Sequence, residues 1–457
     1  MRSPSIRRDF AAVVVAAAAL RLLTFAALQM WTCEAPSGHC GLFHSWDDAL
    51  QYHDIAKGLL ASGTFVAAPG VYEFVPRQTG RQISAKRPPA YPLFLAALYS
   101  AFGERTWVVF YAQALLDALT CGLVLLLAAR LTRHRQIALL AAALYAISPI
   151  NIHYTQRLLS ETLFTALFIA GLYAFSCARA RHGSLGRFAL CGALLGAAAL
   201  TRPIGIFVPL VLAAIIAGSR ASASGRERVL AAGTLLVSSA LVMSVWMTRN
   251  RAEFGHFALS NAGDINLCWN AAALDREMAG FETFNARVQT CLGGRRGDWS
   301  ESVDDPFAAA NEARRRAMRY IRAHLGRYLY EHLRGMVYVH GAPEPSQWRT
   351  EERAWVRDTR LARALRAIEP ALRLVLQPLL VVAAFVGLVV ALRRRELREV
   401  GVFALVTCGY FVGLVGIIGL LGDTSRFMTP VMPLYCTCAA IAVLYIPRYL
   451  RDWLRRA

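Results

Sequence analysis

The fold follows from one hydrophilic loop, which carries WDDALQYHDIAKGLLASGTF at residues 46–65 and AKRPPAYP at residues 85–92. The first stretch opens with two adjacent carboxylates, Asp47 and Asp48, shortly after a long apolar run. The second stretch contains two adjacent cations, Lys86 and Arg87, just before the chain becomes apolar again. Because both ends of the loop meet the membrane at the same boundary, acid–base groups and anion-binding groups should lie together. The loop is therefore predicted to form the centre of a site for a lipid-linked phosphate.

The composition is that of a membrane protein. Of the 457 residues, 56% are hydrophobic, and the mean hydropathy is +0.39, whereas a soluble domain averages about 45–50% apolar residues. Several apolar runs exceed the ~18 residues that indicate a membrane span. The net charge of +20 comes mostly from arginine, but these residues sit in short loops between apolar runs, as the positive-inside bias requires. A nucleic acid is therefore excluded as the partner.

The predicted fold class is an all-α polytopic membrane protein of about ten spans. The arginine clusters place both termini on the cytoplasmic side and make the first loop external. The first run is expected to be a retained span and not a cleaved signal peptide. The helix Ala90–Phe102 is too short to cross a ~30 Å core and is predicted to lie at the interface. The spans are expected at residues 11–31, 107–129, 137–150, 158–177, 188–200, 204–217, 229–247, 374–392, 400–421 and 431–446.

Three parts follow from this topology. Residues 1–247 form a transmembrane core, and its first external loop at 32–106 carries the predicted site. Residues 248–370 form a larger external segment between spans seven and eight, and residues 371–457 hold the last spans. Within the external segment, 308–337 is predicted to be one basic amphipathic helix that lies on the external leaflet or belongs to a soluble subdomain. Its apolar stripe consists of Ile321, Leu325, Leu329, Leu333 and Met336.

Two ionisable residues lie inside apolar spans. Arg21 is central in the first span and Asp117 is central in the second. Because such groups are costly in lipid, they usually face the bundle interior in pairs. A structural Arg21–Asp117 ion pair is favoured over a transport pathway.

Four of the ten cysteines lie outside the apolar spans, in two external pairs. Cys33 and Cys40 share the first loop, and Cys268 and Cys291 share the large external segment. An oxidising external face favours two disulfides, with four unpaired thiols as the alternative.

The candidate acids are Asp47, Asp48 and Glu161. A carboxylate at the membrane boundary can be a general base, a metal ligand or a helix cap. Asp47 and Asp48 open an apparent helix, and two adjacent acids exceed what one cap needs. Glu161 lies at the external start of span four, where the helix dipole alone could account for it. If span four packs on span one, Glu161 meets the region of Asp47 and Asp48.

The candidate cations lie at the external ends of spans, against the positive-inside trend. Arginine forks bind phosphate bidentately, so a polyprenyl phosphate in the outer leaflet would explain them. Ordinary phospholipid head groups are the alternative partner. The set consists of Lys86, Arg87, Arg157, Arg202, Arg249, Arg251 and Arg426.

Several stretches resemble the GT-C membrane glycosyltransferases, the class that includes bacterial aminoarabinose transferase and protein O-mannosyltransferases. DDALQYHDIAKGLLASGTF resembles their first external loop, KRPPAYPLFLAAL their basic-Pro-Pro segment, and SETLF their second acidic site. LTRPIG, RNRAEFGHFALSNAGDINLCWNAA and SRFMTPVMPLY are similar to further patches of the bacterial members. The matches follow the family's order over nearly the whole chain.

The resemblance implies a role for each matching residue. The family's acid four residues before a tyrosine corresponds to Asp48, with Asp47 as the alternative, because Tyr52 follows at that spacing. The residue that holds the carrier phosphate corresponds to Arg87, supported by Lys86. The second acid is Glu161 and the late arginine is Arg426; Tyr52, Tyr91, Arg202 and Arg249 complete the expected substrate-binding set.

The chain departs from the family pattern at two places. Many members have Asp-Glu where this chain has Asp48-Ala49, and many have His-Pro where His324 is followed here by Leu325. The glutamate of the family's Asp-Glu pair is therefore missing here, and its role is absent or is taken over by Asp47. The large external segment is the part of the resemblance that transfers least.

The resemblance implies an enzyme of the bacterial inner membrane that works on the periplasmic face. It would move a sugar from a polyprenyl-phosphate donor to a hydroxyl of lipid A, another envelope glycolipid, a glycan or a protein, by direct displacement with inversion. A divalent metal is not required, because the cations could neutralise the phosphate, but the acids could also hold one. The rival class is a transporter or lipid-linked-sugar flippase, and a structural assembly protein comes third.

Overall fold

The computed structural model describes residues 4–27, 47–67, 82–83, 85–179, 184–218, 224–293, 305–340, 375–417 and 425–454. These residues are almost entirely helical, as predicted. One short antiparallel pair joins β1 (Val66–Ala67) to β2 (Gln82–Ile83). The first helices are α1 (Pro4–Ala27), α2 (Asp47–Ser62), α3 (Ala90–Phe102), α4 (Thr106–Thr132), α5 (Arg135–Ala146), α6 (Pro149–Thr155), α7 (Glu161–Arg179), α8 (Leu185–Thr201) and α9 (Val208–Gly218). The later helices are α10 (Gly225–Phe254), α11 (Ala262–Cys291), α12 (Pro306–Ala323), α13 (Leu325–Tyr338), α14 (Gln377–Arg393), α15 (Arg398–Val415), α16 (Ser425–Met428) and α17 (Met432–Leu454).

An apolar helix stands at the place of every predicted span. Five helices are long and apolar enough to cross a membrane, and the bent pair α5–α6 forms a possible sixth span. Shorter apolar helices occupy the other predicted positions: Leu185–Thr201, Pro203–Gly218, Gln377–Arg393 and Met432–Pro447. The bounds of Ala90–Phe102 agree with the prediction. Ten crossings and an interfacial α3 remain predictions.

The third predicted span, at residues 137–150, is bent between α5 and α6. The axes of α5 and α6 differ by 54°, and Ser148 between them is extended at φ −62°, ψ 116°. The cause is Pro149 at the first position of α6, because proline has no N–H for the helix and disfavours helical geometry in the residue before it.

Arg21 and Asp117 form the predicted buried ion pair. Arg21 is completely buried, and its Nε donates to Asp117 Oδ2 at 2.7 Å. Tyr145 donates to the other carboxylate oxygen at 2.8 Å. Arg21 Nη1 also donates to the carbonyl of Ala146 at 3.3 Å, the last residue of α5. The pair therefore ties α1 and α4 to the bend, where a backbone carbonyl has lost its helical partner.

Two hydrophobic clusters hold the helices together. The larger one lies between α4, α5, α7 and α8 on one side and α14, α15 and α17 on the other. A smaller cluster joins α2, α3, α4 and α6 through aromatic side chains, including Tyr52, Tyr91, Phe110 and Tyr154. The smaller cluster also contains Leu158 and Leu159, so it packs α2 and α3 beside the start of α7, where Glu161 lies.

Residues 248–370, which are predicted to be external, contain the predicted Cys268–Cys291 disulfide. Their Cα atoms are 5.7 Å apart, whereas a straight helix of that separation would span ~35 Å, so the helical segment folds back on itself. Cys33 and Cys40 lie outside the described residues. The six cysteines of the apolar spans are free thiols, five of them buried.

Replacing Cys268 and Cys291 with serine should destabilise the external segment by about 3 kcal/mol, the loop-entropy estimate for a bridge of this length. The measurement is thermal unfolding in detergent, with Cys177→Ser as the control because Cys177 is a free thiol that is only partly buried. If the double variant unfolded at the wild-type temperature, the bridge would not stabilise the fold.

The prediction of one amphipathic helix over 308–337 was wrong, because the helix breaks at His324. His324 has φ −121° and ψ 32°, outside helical geometry. Before the break, Ile321 is buried against α11; after it, His332 bonds to the carbonyl of Gly413 in α15 at 2.9 Å. One straight helix could not pack on both elements. The expected stripe is divided accordingly, and Leu325, Leu329 and Leu333 are exposed.

Candidate active site

Five chain segments meet at one cluster of charged side chains. The first turn of α2 supplies Asp48, and the Pro-Pro segment before α3 supplies Arg87. The first residue of α7 is Glu161, Arg202 follows α8, and Arg426 lies in α16. Both acids stand at helix N-termini, where the helix dipole favours a negative charge. Residues separated by hundreds of positions in the sequence thus form one ionic network.

Asp48 is held between two guanidinium groups. Arg87 Nη2 donates to its Oδ1, and Arg426 Nη2 donates to its Oδ2 at 2.8 Å. The other end of the Arg87 fork is fixed by Gln51, one turn along α2, with Nε donating to Oε1 at 2.5 Å. Gln51 therefore aligns Arg87 with the carboxylate, a role that the sequence analysis missed.

Glu161 is buried and also lies between two arginines. Its Oε1 accepts from Arg426 Nε at 2.8 Å and is paired with Arg202 Nη1. The same Arg202 nitrogen donates to the hydroxyl of Ser160 at 3.3 Å. Glu161 Oε2 is buried with no hydrogen-bond partner among the described residues. A buried acceptor of this kind is costly, so the carboxylate has capacity for a further donor.

Arg426 connects the two acids. Its Nε faces Glu161 while its Nη2 faces Asp48, a geometry that the planar fork of arginine allows and the single ammonium of lysine does not. The predicted meeting of Glu161 with the Asp48 region is therefore observed, and the arginine near the C-terminal end of the chain completes it.

The arginines keep Asp48 ionised. Burial alone would raise the pKa of its carboxyl, but Arg87 and Arg426, together with Lys86, outweigh burial and hold the pKa well below the ordinary value of 3.8. A lowered folded-state pKa means that the pairing stabilises the protein above pH 3.8 and is lost only as the pH falls through the lowered value. At neutral pH Asp48 is a carboxylate, although a weak base while both arginines contact it.

Among the side chains that the structure describes, this cluster contains more cations than acids. Three arginines face two carboxylates, and Lys86 acts on Asp48 as a further cation. The segment that carries Lys86 and Arg87 is anchored from the external segment, because Ser260 donates to the Lys86 carbonyl at 2.6 Å. Arginine forks and a lysine ammonium are groups that bind phosphate in proteins.

Two tyrosines of the predicted set, Tyr52 and Tyr91, pack beside the charged cluster. The ring of Tyr52 lies 5.1 Å from the Arg87 guanidinium, and its hydroxyl is 3.3 Å from that of Ser160. Tyr91 is buried against Tyr52, edge to face at 4.9 Å. Direct contact of either ring with a substrate remains a prediction.

Other predicted candidates have different surroundings. Arg249 lies over the rings of Trp246, Phe65 and Phe254, at 4.6–5.5 Å from their centroids. Arg157 donates to His153 at 3.3 Å. Asp47 begins α2, but its side chain lies outside the described residues, so its role as the alternative acid remains a prediction.

The described acids do not form a metal site. No group of three His, Cys, Asp or Glu side chains occurs among the residues that the structure describes. Both oxygens of Asp48 and one of Glu161 bond to arginine, and a divalent cation would have to displace these guanidinium groups. The arrangement suits an anion better than a metal ion.

Known proteins agree with this fold. A family model described as dolichyl-phosphate-mannose-protein mannosyltransferase matches residues 86–247, less than half of the chain. No curated protein sequence matches significantly. The structure of the archaeal oligosaccharyltransferase AglB from Archaeoglobus fulgidus, in complex with an inhibitory peptide and a dolichol-phosphate, is similar at a TM-score of 0.56 and 14% identity.

The similarity to AglB covers 99% of this chain and 52% of that one, so this chain spans about half the length of its structural relative. The A. fulgidus oligosaccharyltransferase in the apo form gives a TM-score of 0.52 at 13% identity, over 98% of this chain and 52% of that one. ArnT from Cupriavidus metallidurans bound to undecaprenyl phosphate gives 0.38 at 16% identity, over 96% and 77%. The TM-scores of the two A. fulgidus structures confirm the predicted GT-C fold.

Proposed function

We propose that this protein is a glycosyltransferase that moves one sugar from a polyprenyl-phosphate donor to an acceptor hydroxyl. The reaction takes place at the periplasmic face of the bacterial inner membrane. The observation that carries the proposal is the bridge of Arg426 between Asp48 and Glu161, beside Arg87 on the same Asp48. The match to a family named for dolichyl-phosphate-mannose and the dolichol-phosphate in the AglB structure support a lipid-phosphate donor.

The donor phosphate acts on the same arginines as Asp48. When it binds, it competes with the carboxylate for Arg87 and Arg426, and Asp48 loses the contacts that lower its pKa. The freed carboxylate then accepts the proton of the acceptor hydroxyl, general-base catalysis worth typically ~10²–10⁴-fold. Donor binding and acceptor activation are therefore coupled through two shared arginines.

The bond changes balance without a further reactant. The acceptor oxygen attacks the anomeric carbon of the sugar and gives its proton to Asp48. The bond between that carbon and the phosphate oxygen breaks, and its electron pair leaves with the polyprenyl phosphate. Arg87, Lys86 and Arg426 neutralise the departing charge, the electrostatic contribution that matters most in a partly dry site. Glu161 orients Arg426 and Arg202 during this step.

The pH dependence follows from the lowered pKa of Asp48. Because kcat/KM reports the free enzyme, its profile for the donor should show no acid limb from Asp48 between pH 7 and pH 5. Asp54, whose pKa is raised to about 7 by burial, could titrate in this range, so the profile is measured in wild type and in Asp54→Asn. An acid limb that persists in Asp54→Asn and moves in Asp48→Glu would contradict the ionic arrangement.

The function is tested by mass spectrometry of envelope glycolipids, glycans and proteins from cells with and without this protein. We expect one class of molecule to lose a single sugar residue when the protein is absent. The loss of a flippase would also leave the acceptor without its sugar, but the lipid-linked donor would then accumulate on the cytoplasmic face, whereas loss of the transferase should leave the donor on the periplasmic face. If no envelope molecule lost a sugar, or if the donor accumulated on the cytoplasmic face, the transferase proposal would be wrong.

A further inference from the structure

Gln113 is a neutral, fully buried side chain in the apolar helix α4, and no step of the proposed reaction uses it. Its amide has three partners. Tyr91 donates its hydroxyl hydrogen to Oε1 at 2.9 Å, while Nε2 donates to the carbonyls of Thr155 at 3.1 Å and Arg157 at 2.7 Å. An amide inside an apolar span is costly unless it is bonded in this way.

The two carbonyls belong to a segment that has lost its helical partners. Helix α6 ends at Thr155, and α7 begins at Glu161, so the carbonyls at the end of α6 and in the link between the two helices need hydrogen-bond donors from elsewhere. Gln113 donates to the carbonyl of Thr155, the last residue of α6, and to that of Arg157 in the link, and Thr162 donates to the Tyr154 carbonyl at 3.2 Å. Side chains therefore fix the short link that places Glu161.

The contact of Gln113 with Tyr91 connects it to the part of the site that contains Arg87. Tyr91 lies four residues after Arg87, in the first turn of α3, and packs edge to face on Tyr52. The Tyr52 ring lies under the Arg87 guanidinium, while its hydroxyl reaches Ser160, the residue before Glu161. The contacts thus form a closed ring. It runs from Gln113 through Tyr91 and Tyr52 to Ser160, and returns along the backbone from Ser160 to Arg157, whose carbonyl accepts from Gln113.

We infer that Gln113 is a positioning residue that fixes the spacing between Arg87 and Glu161. It acts through Tyr91 on one side and through the backbone of residues 155–157 on the other. The inference rests on the proposed function, because the spacing matters for transfer only if both groups serve one reaction. A shift of about 1 Å in such a site can cost on the order of 10²-fold in rate.

The test compares Gln113→Leu, which removes all three hydrogen bonds, with Tyr91→Phe, which removes one. The matched control is Thr120→Val, because Thr120 is a buried polar residue of the same helix whose hydroxyl, among the described residues, bonds to the Leu116 carbonyl of that helix. Gln113→Leu should lower kcat by on the order of 10²-fold, with KM for the donor within about threefold. Tyr91→Phe should have a smaller effect, and Thr120→Val should keep the wild-type kcat.

Two further readouts separate positioning from a general loss of stability. If Gln113 and Tyr91 act as a unit, the double variant should be no slower than Gln113→Leu alone. Hydrogen exchange of the amides at 155–161 should rise in Gln113→Leu and stay unchanged in Thr120→Val. The exchange measurement needs no substrate, so it still tests the contacts of Gln113 if no donor is turned over and the proposed function itself fails.

The inference is overturned by a wild-type kcat in Gln113→Leu, by unchanged exchange at 155–161, or by an effect confined to KM. If Gln113→Leu does not fold, Tyr91→Phe decides the question: a reduced kcat at unchanged KM supports positioning, and a wild-type kcat contradicts it.

Discussion

Replacing Asp48 with asparagine should abolish sugar transfer while the protein still folds and binds its donor. The substitution keeps the shape of the side chain but removes the base, so we expect a loss of ~10²–10⁴-fold in kcat. Donor binding should persist or strengthen, because Arg87 and Arg426 no longer contact a competing carboxylate. The measurement is turnover of a polyprenyl-phosphate sugar by purified protein, with donor binding determined separately.

The matched control is Asp54→Asn, the same substitution six residues later in α2. Asp54 is buried, and its charged neighbours Lys57 and Glu104 lie outside the arginine cluster. Asp54→Asn should therefore retain transfer within a few-fold. A fully active Asp48→Asn beside an inactive Asp47→Asn would show that the base is the preceding acid. Activity in both variants would remove this loop from the chemistry.

Replacing Arg426 with lysine should be nearly as damaging, although the charge is kept. A lysine ammonium cannot contact Asp48 and Glu161 with the separate nitrogens that the arginine fork provides, and one lost electrostatic contact typically costs ~10²–10³-fold in kcat. Folding should survive, because Asp48 keeps Arg87 and Glu161 keeps Arg202. Turnover and thermal unfolding are measured on the same preparation.

Arg105→Lys is the control for this substitution. Arg105 is an exposed arginine between α3 and α4, and its replacement should leave kcat unchanged. If Arg426→Lys transferred sugar at the wild-type rate, the bridge between the two acids would have no part in the reaction. Equal losses in both variants would show that the loss does not come from the bridge between the two acids.

The sequence could predict the charged members of the site because their cost in a membrane leaves few explanations. Arg21 and Asp117 had to be paired inside the bundle, and they are. Arg87 and Arg426 ran against the positive-inside trend, and Glu161 lay at the start of a predicted span on the same predicted face. The family resemblance gave their order along the chain. Long-range pairing itself could not be derived from spacing, since Arg426 and Asp48 are 378 residues apart.

Neutral and backbone features were harder to predict. Gln113 itself is uncharged and lies in an apolar run, so the sequence does not single it out. Its three hydrogen bonds in the structure do. The break at Pro149 had a visible cause in the sequence, because proline interrupts a helix. The break at His324 had none: the apolar period continues through it, and only the packing of α12 on α11 and of α13 on α15 separates the two halves.

The most direct test follows the label of a polyprenyl-phosphate donor radiolabelled in its sugar, given to the purified protein in vesicles with an envelope extract as acceptor. We expect label to move to the acceptor in step with the release of polyprenyl phosphate, in wild type and not in Asp48→Asn. Label that crosses the vesicle membrane while still attached to its lipid, with no polyprenyl phosphate released, would contradict the assignment as a transferase.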